Sequence, residues 1–129
     1  MNKPTEKDMG IVIDRIIDGY WRGISCDQGW WGLVLECDKE LANIDPDYTI
    51  YQVKEKFGGL RFYFDTKDIR AKNTMNKIVR KYEELAARTC EVSGKAGVLM
   101  LKLGRYRTLG PEFADEGWSP VENILKEKG

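Results

Sequence analysis

Residues 48 to 65 read YTIYQVKEKFGGLRFYFD, two runs of alternating apolar and polar residues that meet at a Gly-Gly pair. A period of two is the pattern of a half-buried strand, and glycine tolerates the positive φ of a tight hairpin turn, so the stretch predicts an antiparallel hairpin. With Gly58 and Gly59 at the centre of the turn, Phe57 faces Leu60, Lys56 faces Arg61, Lys54 faces Tyr63 and Val53 faces Phe64. Tyr51, Val53, Phe57, Leu60, Phe62 and Phe64 then share an inner face, with Glu55 the only charge among them. Gln52, Lys54, Lys56, Arg61 and Tyr63 lie on the other. A phosphate cradle is a poor fit, because a P-loop needs Lys-Ser/Thr after its glycines at a strand-to-helix turn. The glycines are expected to shape the corner and touch nothing.

Helical spacing frames this hairpin. Met9, Ile13, Ile16, Ile17, Tyr20 and Ile24 recur at three- and four-residue steps and predict a first helix. Trp30, Leu33, Val34, Cys37, Leu41 and Ile44 predict a second, stopped by Asp45-Pro46. Trp30 joins its buried stripe, whereas Trp31 points about 100° away, as Trp21 does from the first helix, and both are candidates to face a partner. A third helix is expected from about residue 67 to 89, with Ile78, Tyr82, Leu85 and Ala86 buried and a basic outer surface. VLMLKL and RYRTL read as short strands joined by Gly104. Pro111, Gly117 and Pro120 mark an irregular tail, and VENILKEK reads as a last helical turn or two. The expected fold is one α+β domain over residues 1–129, with N-terminal helices, an antiparallel hairpin, a long central helix and a small C-terminal β lobe.

The chain has 129 residues and no histidine, which removes the commonest general base and metal ligand and excludes Ser-His-Asp and Cys-His chemistry. Cys26, Cys37 and Cys90 are odd in number and widely spaced, as expected of reduced thiols. No apolar run approaches a membrane span and the N-terminus lacks a signal-peptide core, so a cytoplasmic protein is expected. The net charge is zero but uneven. Residues 1–47 carry 5 basic and 10 acidic side chains, 48–107 carry 14 and 6, and 108–129 carry 2 and 5. A basic middle between acidic ends fits either an anionic partner or neutralisation within the fold. Glu55 among aromatics is a candidate buried acid, more often satisfied by an arginine or by backbone amides than catalytic.

GWWGLVLECDKEL, QVKEKFGGLRFYF, ARTCEVSG and RYRTLGPEFADEGW together resemble a family of small, functionally uncharacterised proteins of phages and bacterial prophages. The resemblance covers roughly residues 29 to 118. It implies a zinc-ribbon-like lobe, here over residues 89–118, whose four ligand places fall at Cys90, Ser93, Gly110 and Phe113. A structural zinc site needs four Cys, His or carboxylate ligands, so the lobe is expected to be degenerate and to bind no metal. No cofactor is implied.

These readings converge on a small phage-derived, non-enzymatic binding protein acting on a host or phage macromolecule in the host cytoplasm, with inhibition of a host function one expectation. The candidate binding residues are Lys54, Lys56, Arg61, Tyr63, Trp31, Arg105 and Arg107. A protein partner is the first expectation. A nucleic-acid-binding module using the basic hairpin face, joined by Arg70, Lys77, Arg80, Arg105 and Arg107, is an alternative, and a nucleotide-sequestering binder is another. The oligomeric state is open.

Overall fold

The computed structural model describes residues 3–123. The described residues form an α+β fold of five helices, two of them long, and two small three-stranded sheets. The hairpin is present as β2 (Thr49–Lys56) and β3 (Gly59–Asp65). Its turn, however, is Phe57-Gly58, with φ of 53° and 84°, rather than Gly58-Gly59. Lys56 pairs with Gly59, Glu55 with Leu60, Lys54 with Arg61, Val53 with Phe62 and Gln52 with Tyr63. The two inner and outer sets are preserved, except that Phe57 leaves the core for the turn, where it is 72% exposed. An irregularity between Ile50 and Gln52 also exchanges the expected Tyr51 for Ile50 in the core. Tyr51 instead packs at a tilt against Tyr20, ring centroids 5.4 Å apart, and donates to Asp65.

The first helix is much shorter than its periodicity predicts. Only Gly10–Ile13 (α1) is helical; Ile16 then bridges Ile50, and Ile24–Ser25 (β1) pairs in parallel with β2. Ile50 accepts from the Ile17 N–H and donates to the Arg15 carbonyl, so backbone needs that a helix would have met internally are met by the sheet. Gly19, at φ 91°, turns the chain back. The sheet order is β1-β2-β3, which leaves β3 at an edge.

A short 3₁₀ turn (Gln28–Trp30) leads into α2 (Trp31–Ile44), which buries Val34, Cys37 and Leu41 beside Trp30. Helix α3 (Lys72–Ala86) buries Met75, Val79, Tyr82 and Ala86, with Ile78 and Leu85 partly covered. It is shorter at both ends than expected: Asp68 and Ile69 close turns onto Ala71 and Lys72 before it starts. Both long helices pack into one core with Val12, Ile16, Val53, Leu60 and Phe62.

The C-terminal sheet is antiparallel, with β4 (Val98–Lys102) between β5 (Arg105–Leu109) and β6 (Ser119–Pro120). A 3₁₀ turn, Pro111–Glu116, connects β5 to β6. This sheet covers a small core of Cys90, Met100 and Leu109, against which Val92, Phe113 and Trp118 pack. Most of the VENILKEK segment lies outside the described residues. The two cores are tied together by the Trp30 indole donating to the Thr89 carbonyl at 2.7 Å, by the Gly29 N–H to the Glu91 carbonyl at 2.7 Å, and by the Thr108 hydroxyl to the Gly58 carbonyl at 2.7 Å. Gly58 therefore does touch something: its carbonyl holds the hairpin tip to β5. Among the described residues no helix is long and apolar enough to cross a membrane.

Candidate functional site

Lys54 and Arg61 are cross-strand partners on the outer hairpin face, so two cations stand opposite one another where like charges repel. Neither forms an ion pair among the described residues. Lys56, at the end of the same face, has its ammonium 5.7 Å above the Phe57 ring, and Tyr63 is 43% exposed. Four of the expected residues are thus gathered on one surface.

Beside that face runs a groove of about 680 Å³ between the β3 edge and α3. Tyr51, Phe62, Tyr63 and Phe64 line it from the sheet, and Asn76, Val79, Arg80 and Glu83 from the helix. The helical wall follows from spacing, since residues 76, 79, 80 and 83 fall on one stripe. Glu83 accepts a 3.0 Å hydrogen bond from the Phe62 N–H, which points away from β2. Burial pushes the Glu83 carboxyl above its ordinary range; the Phe62 N–H and the charge of Arg61 pull it back only in part. Sequence reasoning missed this groove. Its one advance signal was that stripe, which carries Val79 on the buried side and Arg80 at the rim.

The other expected residues are placed differently. Arg107 is not a free cation: it bridges Asp27 at 2.5 Å and Glu91 at 3.3 Å. Glu91 is buried and also accepts from the Asp27 N–H. Burial raises the Glu91 carboxyl, opposed by that N–H and by Arg107. Arg105 stays exposed at the rim of a polar pocket of about 290 Å³ that contains this network, away from the hairpin's outer face. Trp31 is half-buried, with its indole N–H donating to the Cys26 carbonyl at 2.9 Å and its ring lining a pocket with Trp21. Trp21 does face outward, 65% exposed. Glu55, the inward acid, accepts from the Gly58 N–H at 2.7 Å and is a turn fastener.

At the four places implied by the zinc-ribbon resemblance, the Cys90 sulfur accepts from Ser93 and from the Gly110 backbone N–H, and Phe113 packs against the same cluster. Burial raises the Cys90 thiol, but the Ser93 hydroxyl and the N–H groups of Ser93, Gly110 and Val92 outweigh it and bring the net shift below the ordinary value. One sulfur and one hydroxyl do not make a zinc ligand set, and a phenyl ring occupies the fourth place. Among the described residues no group of three or more His, Cys, Asp or Glu side chains is arranged to hold a metal. Cys26 and Cys37 are buried and their thiols are pushed far up by desolvation, which disfavours the nucleophilic thiolate.

Comparison of the chain with protein-family models, with curated proteins and with solved structures found no match.

Proposed function

We propose that this chain is a non-enzymatic binding protein whose hairpin outer face, Lys54, Lys56, Arg61 and Tyr63, engages an acidic surface of a protein partner. The observation that carries the reading is the opposed pair Lys54 and Arg61, which costs the sheet stability and forms no close ion pair among the described residues, Glu83 acting on Arg61 only at longer range. An anionic partner removes that repulsion on binding. A polypeptide fits better than a phosphate backbone, because a strand edge and the Glu83 carboxylate lie directly beside the cations. The chemistry elsewhere supports binding over catalysis: the chain has no histidine, and Glu91, Arg107 and Glu55 are tied up in structural bonds. The resemblance to phage proteins makes a host or phage macromolecule in the host cytoplasm the natural partner, with inhibition of a host function one consequence.

The test is capture from cell extract by the tagged chain and by a Lys54→Glu/Arg61→Glu variant checked for intact folding. The expected result is an acidic protein retained by the first and lost by the second, with no retention of DNA or RNA at low salt. An identical catch with both proteins overturns the reading. So does nucleic-acid binding that falls steeply with salt, or a thermal shift with a nucleotide panel.

A further inference from the structure

Antiparallel pairing alternates, so every second residue of an edge strand turns its backbone N–H and C=O outward. On β3 the outward set contains Phe62 and Phe64, since the Phe62 N–H goes to Glu83 and Val53, opposite Phe62, pairs with β1 on its other side. Among the described residues, β3 has no strand neighbour on that side. The groove beside it, about 680 Å³, is walled by α3. We propose that this edge takes an additional β-strand from the partner protein, an extended segment in which acidic and apolar residues alternate. The proposal rests on the binding function above and names the form of the partner's contact.

The alternation follows from the two sides of the edge. Side chains of an added strand that lie on the outer face sit beside Arg61 and Tyr63, with Lys54 one strand further on. Those on the other side meet Phe62, Phe64 and Val79, with Arg80 at the rim. Arg61 and Arg80 have no ion-pair partner among the described residues, so carboxylates complement both. Apolar side chains on the groove side cover Phe64, beside Phe62 and Val79, which the core already buries. Main-chain hydrogen bonds supply affinity and alternate side chains supply specificity.

Glu83 acts as the placeholder. Its carboxylate holds the acceptor position that an incoming carbonyl takes at the Phe62 N–H, and so blocks casual edge-to-edge pairing. A partner strand displaces it by offering its own carbonyl to the Phe62 N–H.

The experiment uses the full ¹⁵N-labelled chain and three blocked synthetic octapeptides: alternating Glu and Val, alternating Lys and Val, and the Glu/Val peptide N-methylated at alternate residues. The expected result is that only the unmodified Glu/Val peptide shifts the Phe62 and Phe64 amides and slows their hydrogen exchange. Exposed Arg80→Glu should weaken it by about tenfold or more, and Glu83→Ala should tighten it. No shift at millimolar peptide, equal binding of the Lys/Val peptide, or shifts mapping away from β3 and α3 overturns strand addition. Equal binding of the N-methylated peptide, abolished by Lys54→Glu/Arg61→Glu, also overturns it while leaving the basic-face function standing. A single-stranded DNA oligomer that displaces the peptide from the same amides overturns both.

Discussion

Phe57 and Leu103 occupy the first turn position of the two hairpins at φ of 53° and 49°, each followed by a glycine at positive φ. Left-handed backbone costs an ordinary L-residue roughly 1–2 kcal/mol, and both side chains are exposed, Leu103 at 97%. Turn rules alone favour Gly58-Gly59, and that preference is why the sequence leads to the wrong register by one position on each strand. What decides the matter is one local and one sequence-distant contact: Glu55, three residues back, accepts from the Gly58 amide and Thr108, fifty residues on, donates to its carbonyl, which fixes that residue as the second turn position. Phe57→Asn should therefore raise the unfolding free energy by about 1 kcal/mol, because Asn accepts this conformation at lower cost. Gly58→Ala should do the opposite, since a methyl there meets Leu99 and the Arg107 backbone at φ 84°. Urea denaturation of the two variants checks both signs; a lower midpoint for Phe57→Asn at unchanged slope contradicts the strain account.

Helices α2 and α3 were legible because their apolar stripes are long and end at clear stops such as Asp45-Pro46. The N-terminal segment was not, because Met9, Ile13, Ile16 and Ile17 satisfy helical spacing while the chain actually lies against Ile50. Short apolar runs carry no record of which neighbour will take their backbone groups. Between the long helices, Glu40 on α2 accepts from Lys81 at 2.7 Å and from the Tyr82 hydroxyl on α3. These bonds, Lys81 first and Tyr82 second, lower the Glu40 carboxyl below its ordinary value near 4.5. The folded state then binds the proton less well than the unfolded chain, so this stabilisation is complete above the ordinary value and lost as pH falls through the lowered one. Glu40→Gln should cost only a few tenths to about 1 kcal/mol at neutral pH, as expected for a pair partly open to solvent. The gap between variant and wild type in thermal or urea unfolding should close as the pH is taken below the ordinary carboxylate value; a gap constant on acidification contradicts the pairing.

The uneven charge of the chain resolves only partly inside the fold. Lys81 with Glu40 and Arg107 with Asp27 join the basic middle to the acidic N-terminal part, and Lys72 pairs locally with Asp65. Lys54, Arg61, Lys77 and Arg80 form no such pairs among the described residues, and the proposed binding face is argued from that surplus of positive charge. The groove beside it was invisible because it needs α3 laid along the open edge of β3, a placement that no local pattern records. Arg107 was misread for the same reason: its partners are 80 and 16 positions away. It serves instead as a clasp between the two cores, and removing it strands a charge. Glu91 is 3% exposed, so Arg107→Ala leaves its carboxylate with little beyond the Asp27 N–H. The cost should be about 2–4 kcal/mol, somewhat below that of a fully buried pair because Asp27 is half open. Exposed Arg105→Ala should stay within about 0.5 kcal/mol. The deficit of Arg107→Ala should also depend on pH with a definite sign. Glu91 already titrates above the ordinary carboxylate range, and losing the guanidinium raises it further. A raised folded value means that the folded state holds the proton more tightly than the unfolded chain, so stability is greatest below the ordinary value and declines as pH rises through the raised one. Arg107→Ala should accordingly recover part of its loss on mild acidification. The double variant Arg107→Ala/Glu91→Gln, with no charge to strand, should be more stable at neutral pH than Arg107→Ala alone and should lack that acid recovery. Urea unfolding of the wild type, Arg107→Ala and the double variant at two pH values separates the clasp from a surface cation, for which neither the rescue nor the acid recovery occurs.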